Sequence, residues 1–200
     1  MEPTVWYYAF DSNGNLREIT PNGVNPAIGA IRYTYDMANR LNKVENHNGS
    51  SYTKVAEMFY TGSGSRARLV TWSGGIPLTT TYTVDPLQSA RVLRTSMGSH
   101  ATSYLYGLSP LGEFGTQTAY YLIDGFGSIR QTADQNGNLA LTRLYEPFGE
   151  VLAQKGGGTP TFGLGDGHYD VRTGLLLVNG QPLFHPLASR KSSEFCPQVL

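Results

Sequence analysis

The feature that most constrains this chain is a turn that keeps returning. Within residues 119–150, AYYLIDGFGSIRQTADQNGNLALTRLYEPFGE, three reversals each open with an acid and close with a glycine. They are Asp124-Gly125-Phe126-Gly127, Asp134-Gln135-Asn136-Gly137 and Glu146-Pro147-Phe148-Gly149. An Asp carboxylate accepts a hydrogen bond from a backbone N–H two residues on, and glycine takes the positive φ that closes a tight reversal. The flanks alternate. Leu139, Leu141, Arg143 and Tyr145 fall on one face of a strand, and Ala140, Thr142 and Leu144 on the other. The pattern predicts strand, turn, strand, turn, strand, turn.

The same punctuation runs through most of the chain. Phe10-Asp11-Ser12-Asn13-Gly14-Asn15-Leu16 and Tyr35-Asp36-Met37-Ala38-Asn39-Arg40-Leu41 open the series, and Tyr60-Thr61-Gly62, Val84-Asp85-Pro86 and Tyr106-Gly107 continue it. It recovers at Ile123-Asp124, Tyr145-Glu146 and Tyr169-Asp170-Val171-Arg172-Thr173-Gly174-Leu175. The second positions (11, 36, 61, 85, 107, 124, 146, 170) are separated by 25, 25, 24, 22, 17, 22 and 24 residues. Two strands and two turns add up to such a period, so each unit is one β-hairpin with its connection. Ile31-Arg32-Tyr33-Thr34-Tyr35 and Thr79-Thr80-Thr81-Tyr82-Thr83-Val84 are alternating and rich in β-branched or aromatic residues, as strands are. One hairpin cannot bury its apolar face alone, but neighbours along a sheet can. Gly62-Ser63-Gly64-Ser65, Gly74-Gly75 and Gly156-Gly157-Gly158 read as flexible polar connections.

Composition excludes several classes. Charged residues make up 15% of the chain, against about 25% in an average domain. Gly (24) and Tyr (13) are abundant, and no long Ala/Glu/Lys/Leu run offers a helix. Two hundred residues suffice for one domain with one continuous core. Fifteen acids balance fifteen bases, so no net field draws the chain to nucleic acid or an anionic membrane. Cys196 is the single cysteine, which rules out an internal disulfide and a cysteine-rich metal site. No apolar run approaches the roughly 18 residues of a membrane span. The start, MEPTVWYYAF, lacks the basic region of a secretory signal.

These residues resemble the Rhs, or YD-repeat, proteins, whose relatives include teneurins and bacterial toxin shells. YAFDSNGNLREI and YTYDMANRLNKV look like single YD repeats, and residues 121–150 resemble the Rhs-associated core, YxxDxxGSxRxxxDxxGxxxxxYxYxPFGE. HYDVRTGL, residues 168–175, is similar to the YD-x-x-TGL segment that follows it. The resemblance is specific over about residues 120–175 and looser over 7–118. It implies an all-β array of antiparallel hairpins forming part of a spiralling, curved β-sheet shell, which in bacterial members encloses a C-terminal toxin. Some members end in an aspartate-dependent self-cleaving segment. Here the pattern fails: Phe184-His185-Pro186 stands where Tyr-Asp-Pro belongs, and no Asp follows Asp170. No autoprotease is carried over, and the fourteen residues after Pro186 are too few for a folded toxin.

Other motifs have plain readings. Asp11-Ser12-Asn13-Gly14-Asn15 and Asp134-Gln135-Asn136-Gly137-Asn138 place oxygens as calcium loops do, but the glycine falls at position four and no bidentate Glu follows at twelve. Turn chemistry accounts for them. His47, His100, His168 and His185 show no paired-ligand spacing, and no G-x-S-x-G offers a nucleophile, so they read as structural or surface histidines. His168 with Asp170 is the only hydrolase pair the chain allows. Gly163-Leu164-Gly165-Asp166-Gly167 lacks phosphate-loop spacing, Arg66 and Arg68 read as a solvated turn, and Asn48-Gly49-Ser50 is a glycosylation sequon. The tyrosines, Trp6 and Trp72 read mainly as packed-face residues.

The sequence therefore predicts a structural shell segment and no enzyme, cofactor or metal. Residues 1–118 are degenerate YD hairpins, 119–178 a core-like segment and 179–200 a divergent irregular tail. The turn residues are Asp11, Gly14, Asp36, Asp124, Gly127, Arg130, Asp134, Gly137, Pro147, Gly149, Asp170 and Gly174. The partners that the resemblance implies are the rest of the shell and an enclosed toxin, with secretion or a cell-surface location. Open sheet edges predict self-association. The alternative is a glycan- or protein-binding module using exposed tyrosines such as Tyr33 and Tyr35.

Overall fold

The structure, a computed structural model, describes residues 5–23, 27–87, 91–145, 151–158, 160–164, 167–170, 175–178 and 181–183. The chain is all-β, as the turn pattern predicts. Its first strands are β1 (Trp6–Phe10), β2 (Leu16–Pro21), β3 (Ile31–Tyr35), β4 (Leu41–His47), β5 (Tyr52–Tyr60), β6 (Arg66–Ser73) and β7 (Ile76–Val84). There follow β8 (Val92–Met97), β9 (His100–Tyr106), β10 (Pro110–Phe114), β11 (Thr118–Ile123), β12 (Ile129–Ala133), β13 (Leu139–Tyr145) and β14 (Val151–Gly156). Those fourteen form one open curved sheet in strict chain order, every neighbour antiparallel. β15 (His168–Asp170), β16 (Leu175–Val178) and β17 (Gln181–Leu183) make a separate three-stranded sheet.

Register explains part of the curvature. Beside the turns, Phe10 pairs with Leu16, Tyr35 with Leu41, Tyr60 with Arg66, and Ile123 with Ile129, each next to a one-residue shift in the ladder. Such bulges increase local right-handed twist, and placing them at the same station of successive hairpins bends the sheet in one sense. β7 shows the resulting two-faced strand: Leu78, Thr80 and Tyr82 are half-buried while Thr79, Thr81 and Thr83 are exposed.

The packed face carries two core clusters instead of the one continuous core expected. One joins Leu16, Ile19, Tyr33, Leu41, Val44, Ala56, Met58 and Leu69. The other joins Tyr104, Tyr121, Ile129 and Phe162, with Val92, Tyr106 and Ala119 against it. Between them the packed face runs through Thr80 and Thr95, whose small polar side chains do not join the two apolar clusters.

In β13 the alternation places Leu141 and Arg143 in the buried layer and leaves Ala140 and Leu144 exposed. Leu139 departs from the face predicted for it and is exposed, because a register shift sets it opposite Ala133. The glycine connections are built turns within the ladder, contrary to the flexible reading. Gly74 and Gly75 form a two-residue hairpin with φ of 57° and 82°, the sign pair a type I′ turn requires. Gly156 still pairs with Leu141.

Candidate functional site

The site that the repeats build is a seam of turns and tyrosines that ties hairpin to hairpin at the β2/β3, β4/β5, β8/β9 and β12/β13 junctions. It starts from one local geometry. The Asp124 backbone N–H donates to Ser128 O at 2.9 Å, and the Gly127 N–H donates back to Asp124 O at 3.0 Å. Asp124 Oδ1 then accepts from the N–H groups of Phe126 (2.9 Å) and Ser128 (3.0 Å). Asp11 does the same for Asn13 and Asn15, Asp36 for Ala38 and Arg40, and Asp134 for Asn136 and Asn138. Gly14, Gly127 and Gly137 hold φ of 82°, 80° and 82° at the fourth position, and Asn39 takes it at 59°, a conformation that asparagine tolerates better than other side-chain-bearing residues. Thr61 substitutes a hydroxyl for the carboxylate: its Oγ1 accepts from Ser65 N–H at 3.1 Å.

Tyrosine and arginine convert these turns into a seam. Tyr35 Oη donates to Leu16 O (3.0 Å), Tyr60 to Leu41 O (2.6 Å), Tyr106 to Val92 O (2.7 Å) and Tyr145 to Ile129 O (2.9 Å). Each accepting carbonyl belongs to the residue beside the bulge of the preceding hairpin, where the ladder is disrupted. Arg40 Nε donates to Asp36 Oδ2 at 2.7 Å, and the guanidinium lies 4.8 Å from the centroid of the Tyr60 ring. Arg130 repeats the arrangement, 2.7 Å from Asp124 Oδ2 and 5.4 Å from the Tyr145 ring. An acid in one turn thus orients an arginine onto the next hairpin's tyrosine, a cation–π contact that is directional as well as attractive. The turns also touch laterally: Asn13 Nδ2 donates to Asn39 Oδ1 at 2.9 Å.

These bonds fix the pH response. The Asn15 side-chain amide holds Asp11 below the ordinary carboxylate value, the Arg130 guanidinium does so for Asp124, and the Asn138 backbone N–H for Asp134. At Asp36 desolvation pushes upward, and Arg40 with the two turn N–H groups outweighs it. A depressed carboxylate contributes stability above its unfolded value of 3.8 and loses it as the pH falls through the lower folded value. Thermal melts followed by circular dichroism should therefore move to lower temperature as the pH falls from 5 to below 3.8. The Asp36→Asn, Asp124→Asn double variant should show a flatter dependence. A melting temperature independent of pH over that range would contradict the carboxylate role.

Several residues take places that the sequence did not disclose. Arg66 is buried, its guanidinium 4.4 Å from the Tyr82 ring centroid, and Arg68 stacks on Phe59 at 3.9 Å. The solvated-turn reading is corrected for Arg66, which is buried; Arg68 is exposed as that reading expects, but both lie in strand β6 and not in a turn, each with its planar cation over an aromatic face. Tyr33 is buried, and Tyr35 is half-buried against the first core cluster with its hydroxyl committed to the seam. His47 is buried, accepts from Gly49 N–H at Nδ1 (3.3 Å) and lies 4.8 Å from Tyr52. Glu18, buried on the opposite face of the sheet from Ile19, accepts from Tyr52 Oη and sits 3.6 Å from Arg32. Burial, then Glu18, pushes the Tyr52 phenol upward.

A second construction covers the packed face of β9–β13. After β14 the chain returns across the sheet, and residues 160–164 lie on it. Phe162 stands edge-on to Tyr104 (5.2 Å), Tyr106 (6.0 Å) and Tyr121 (6.2 Å). Thr161 N–H donates to Glu113 Oε2 at 3.2 Å, which also accepts from Tyr121 Oη at 2.6 Å. Ile129 N–H donates to Gly163 O at 3.0 Å, and Thr161 Oγ1 meets Tyr104 Oη at 3.1 Å. Burial, reinforced by Glu113, raises the Tyr121 phenol well above its usual value. Phe162 and Glu113 lie 49 positions apart and carry no motif, so no sequence signal joined them.

Of the other predicted residues, Asp170 lies in β15, with its backbone paired to Leu175, and His168 is paired to Leu177. Pro147, Gly149, Gly174 and His185 lie outside the described residues, as do Gly165 and Asp166. Among the described residues no group of three His, Cys, Asp or Glu side chains is placed to hold a metal ion. No helix among them is long and apolar enough to cross a membrane.

No model of a known protein family matches the chain, and no curated protein sequence matches it. Solved structures do. The chain is similar to the Photorhabdus luminescens Tc holotoxin pore carrying the TccC3 D651A mutation, at 12% identity and a TM-score of 0.60 over 90% of this chain and 11% of that one. It is similar to the TcdB2–TccC3–Cdc42 structure at 13% identity and a TM-score of 0.58, over 86% and 11%. TcdB2–TccC3 without its hypervariable C-terminal region matches at 14% and 0.55, again over 86% and 11%. The chain thus has the Rhs/YD-repeat shell fold and spans about a tenth of the length of the chains that share it.

Proposed function

We propose that this chain is a wall segment of an Rhs-type β-shell, acting through shape and continuity and performing no catalysis. In a longer parent, the wall would surround a C-terminal toxin segment and be secreted or carried at the cell surface. The observation that carries this reading is the fourteen-stranded sheet in chain order, tied hairpin to hairpin by the tyrosine seam. Such a sheet can be extended strand by strand at either end without changing its internal contacts. The neighbours supply the context. They include a Tc holotoxin pore and TcdB2–TccC3 complexes, one described without its hypervariable C-terminal region.

The two edges make the reading testable. β1 and β14 each have one neighbour in the sheet, β1 carries no charge (WYYAF), and β14 is exposed along its whole length. Free-standing proteins commonly blunt such edges with charges or proline. Sedimentation velocity should show association that grows with concentration, and Tyr8→Lys combined with Leu152→Lys should shift the population towards monomer. A wild-type chain that stays monomeric at all concentrations and unfolds in one cooperative step would count against a wall segment.

A further inference from the structure

The packed face of β9–β13 holds residues 160–164 much as a receptor holds a short peptide, the chain bending at Thr161 and making a single β-bridge at Phe162. One aromatic anchor, Phe162, enters a box of three tyrosine rings at centroid distances of 5.2, 6.0 and 6.2 Å. The backbone is read on both sides of it. The N–H one residue before the anchor donates to Glu113, at 3.2 Å. The carbonyl one residue after it accepts from Ile129 N–H, at 3.0 Å. Glu113 and Ile129 come from two non-adjacent strands, β10 and β12, so the acceptor and donor are set in place by the sheet itself. An anchor in a pocket with main-chain hydrogen bonds beside it is how peptides are commonly recognised.

We infer that this face is a binding site for short peptide segments presenting a phenylalanine-sized aromatic residue, and that the chain fills it with its own residues 160–164. The tethered segment acts as an internal competitor, its effective concentration set by the short link from β14. An incoming peptide needs only the shared features: an aromatic ring, a free N–H one position before it and a free carbonyl one position after it. Tyr104, Tyr106 and Tyr121 remain on the sheet when the segment leaves, because all three belong to β9 or β11.

The test uses the full chain and a fluorescent peptide, Pro-Thr-Phe-Gly-Leu, that copies residues 160–164, read by anisotropy. Phe162→Ala, checked for retained β-structure by circular dichroism, should bind the peptide saturably and at least about tenfold more tightly than wild type, whose site is occupied in cis. A peptide with alanine in place of the phenylalanine should not bind. A folded Phe162→Ala chain that takes up no peptide overturns the inference. So does equal binding of the two peptides, or equal binding by wild type. Should Phe162→Ala fail to fold, Thr161→Pro removes the N–H donated to Glu113, weakens the internal competitor while leaving Phe162 and the three tyrosines intact, and is judged by the same outcomes.

Discussion

Gly156→Ala should lower the stability of the chain by about 4 kcal/mol, the sum of about 1–3 for a strained backbone and about 1–3 for overpacking. In a domain of this size that loss corresponds to a fall of roughly 10 °C in melting temperature. Two causes act at one residue. Gly156 has φ of 90°, and a Cβ built on it would stand 2.1 Å from Ala140 O and 3.2 Å from Leu141 Cα. Those are backbone atoms of β13, so no rotamer change relieves the contact. The strand pair must part at the point where the chain leaves β14 for the packed face. Gly137→Ala is the internal control: its φ is 82°, but nothing lies within 4 Å of the added atom. It should lose only the conformational part, about 1–2 kcal/mol. Denaturant unfolding of both variants decides the matter, and equal losses would show that the close approach to Ala140 does not exist.

The second large effect separates two leucines. Leu41→Ala should cost about 3–5 kcal/mol, whereas Leu122→Ala should cost less than about 1 kcal/mol. Both stand in strands of turn-flanking hairpins. Leu41 is fully buried in the first core cluster and its carbonyl accepts the Tyr60 hydroxyl. Leu122 is 44% exposed on the opposite face, paired with Gln131. Truncating the first leaves a cavity that the curved sheet cannot close, and truncating the second uncovers little. Chemical denaturation midpoints at unchanged slope provide the measurement. Similar losses for the two would mean that the packed and open faces have been misassigned.

The turns were legible because their chemistry is local. An Asp that accepts from residues two and four positions on needs nothing from the remainder of the chain. The same holds for Asp11, Asp36 and Asp134. Thr61 shows the limit of that legibility: its unit looked degenerate, yet the hydroxyl closes the same turn. Arg66 was misread for the opposite reason. Its neighbours in sequence are small and polar, while its partner ring, Tyr82, comes from the next hairpin. The triple glycine misled in a similar way, since composition reports conformational freedom but says nothing about the carbonyl that makes Gly156 obligatory.

Sequence alone determined the strand-and-turn rhythm, the all-β class, the acid-and-glycine turn chemistry and the resemblance to a shell wall. Each follows from contacts within a few residues or from a period repeated often enough to read. Tertiary structure alone decided which face of each strand is packed and what the recurring tyrosines do, each reaching the carbonyl beside the previous bulge. It also decided that Phe162 returns to a site shaped by Tyr104, Tyr106, Tyr121 and Glu113. Those choices depend on register between strands and on a curvature summed over many bulges. A one-residue slip in register reverses the faces while leaving the local motifs unchanged.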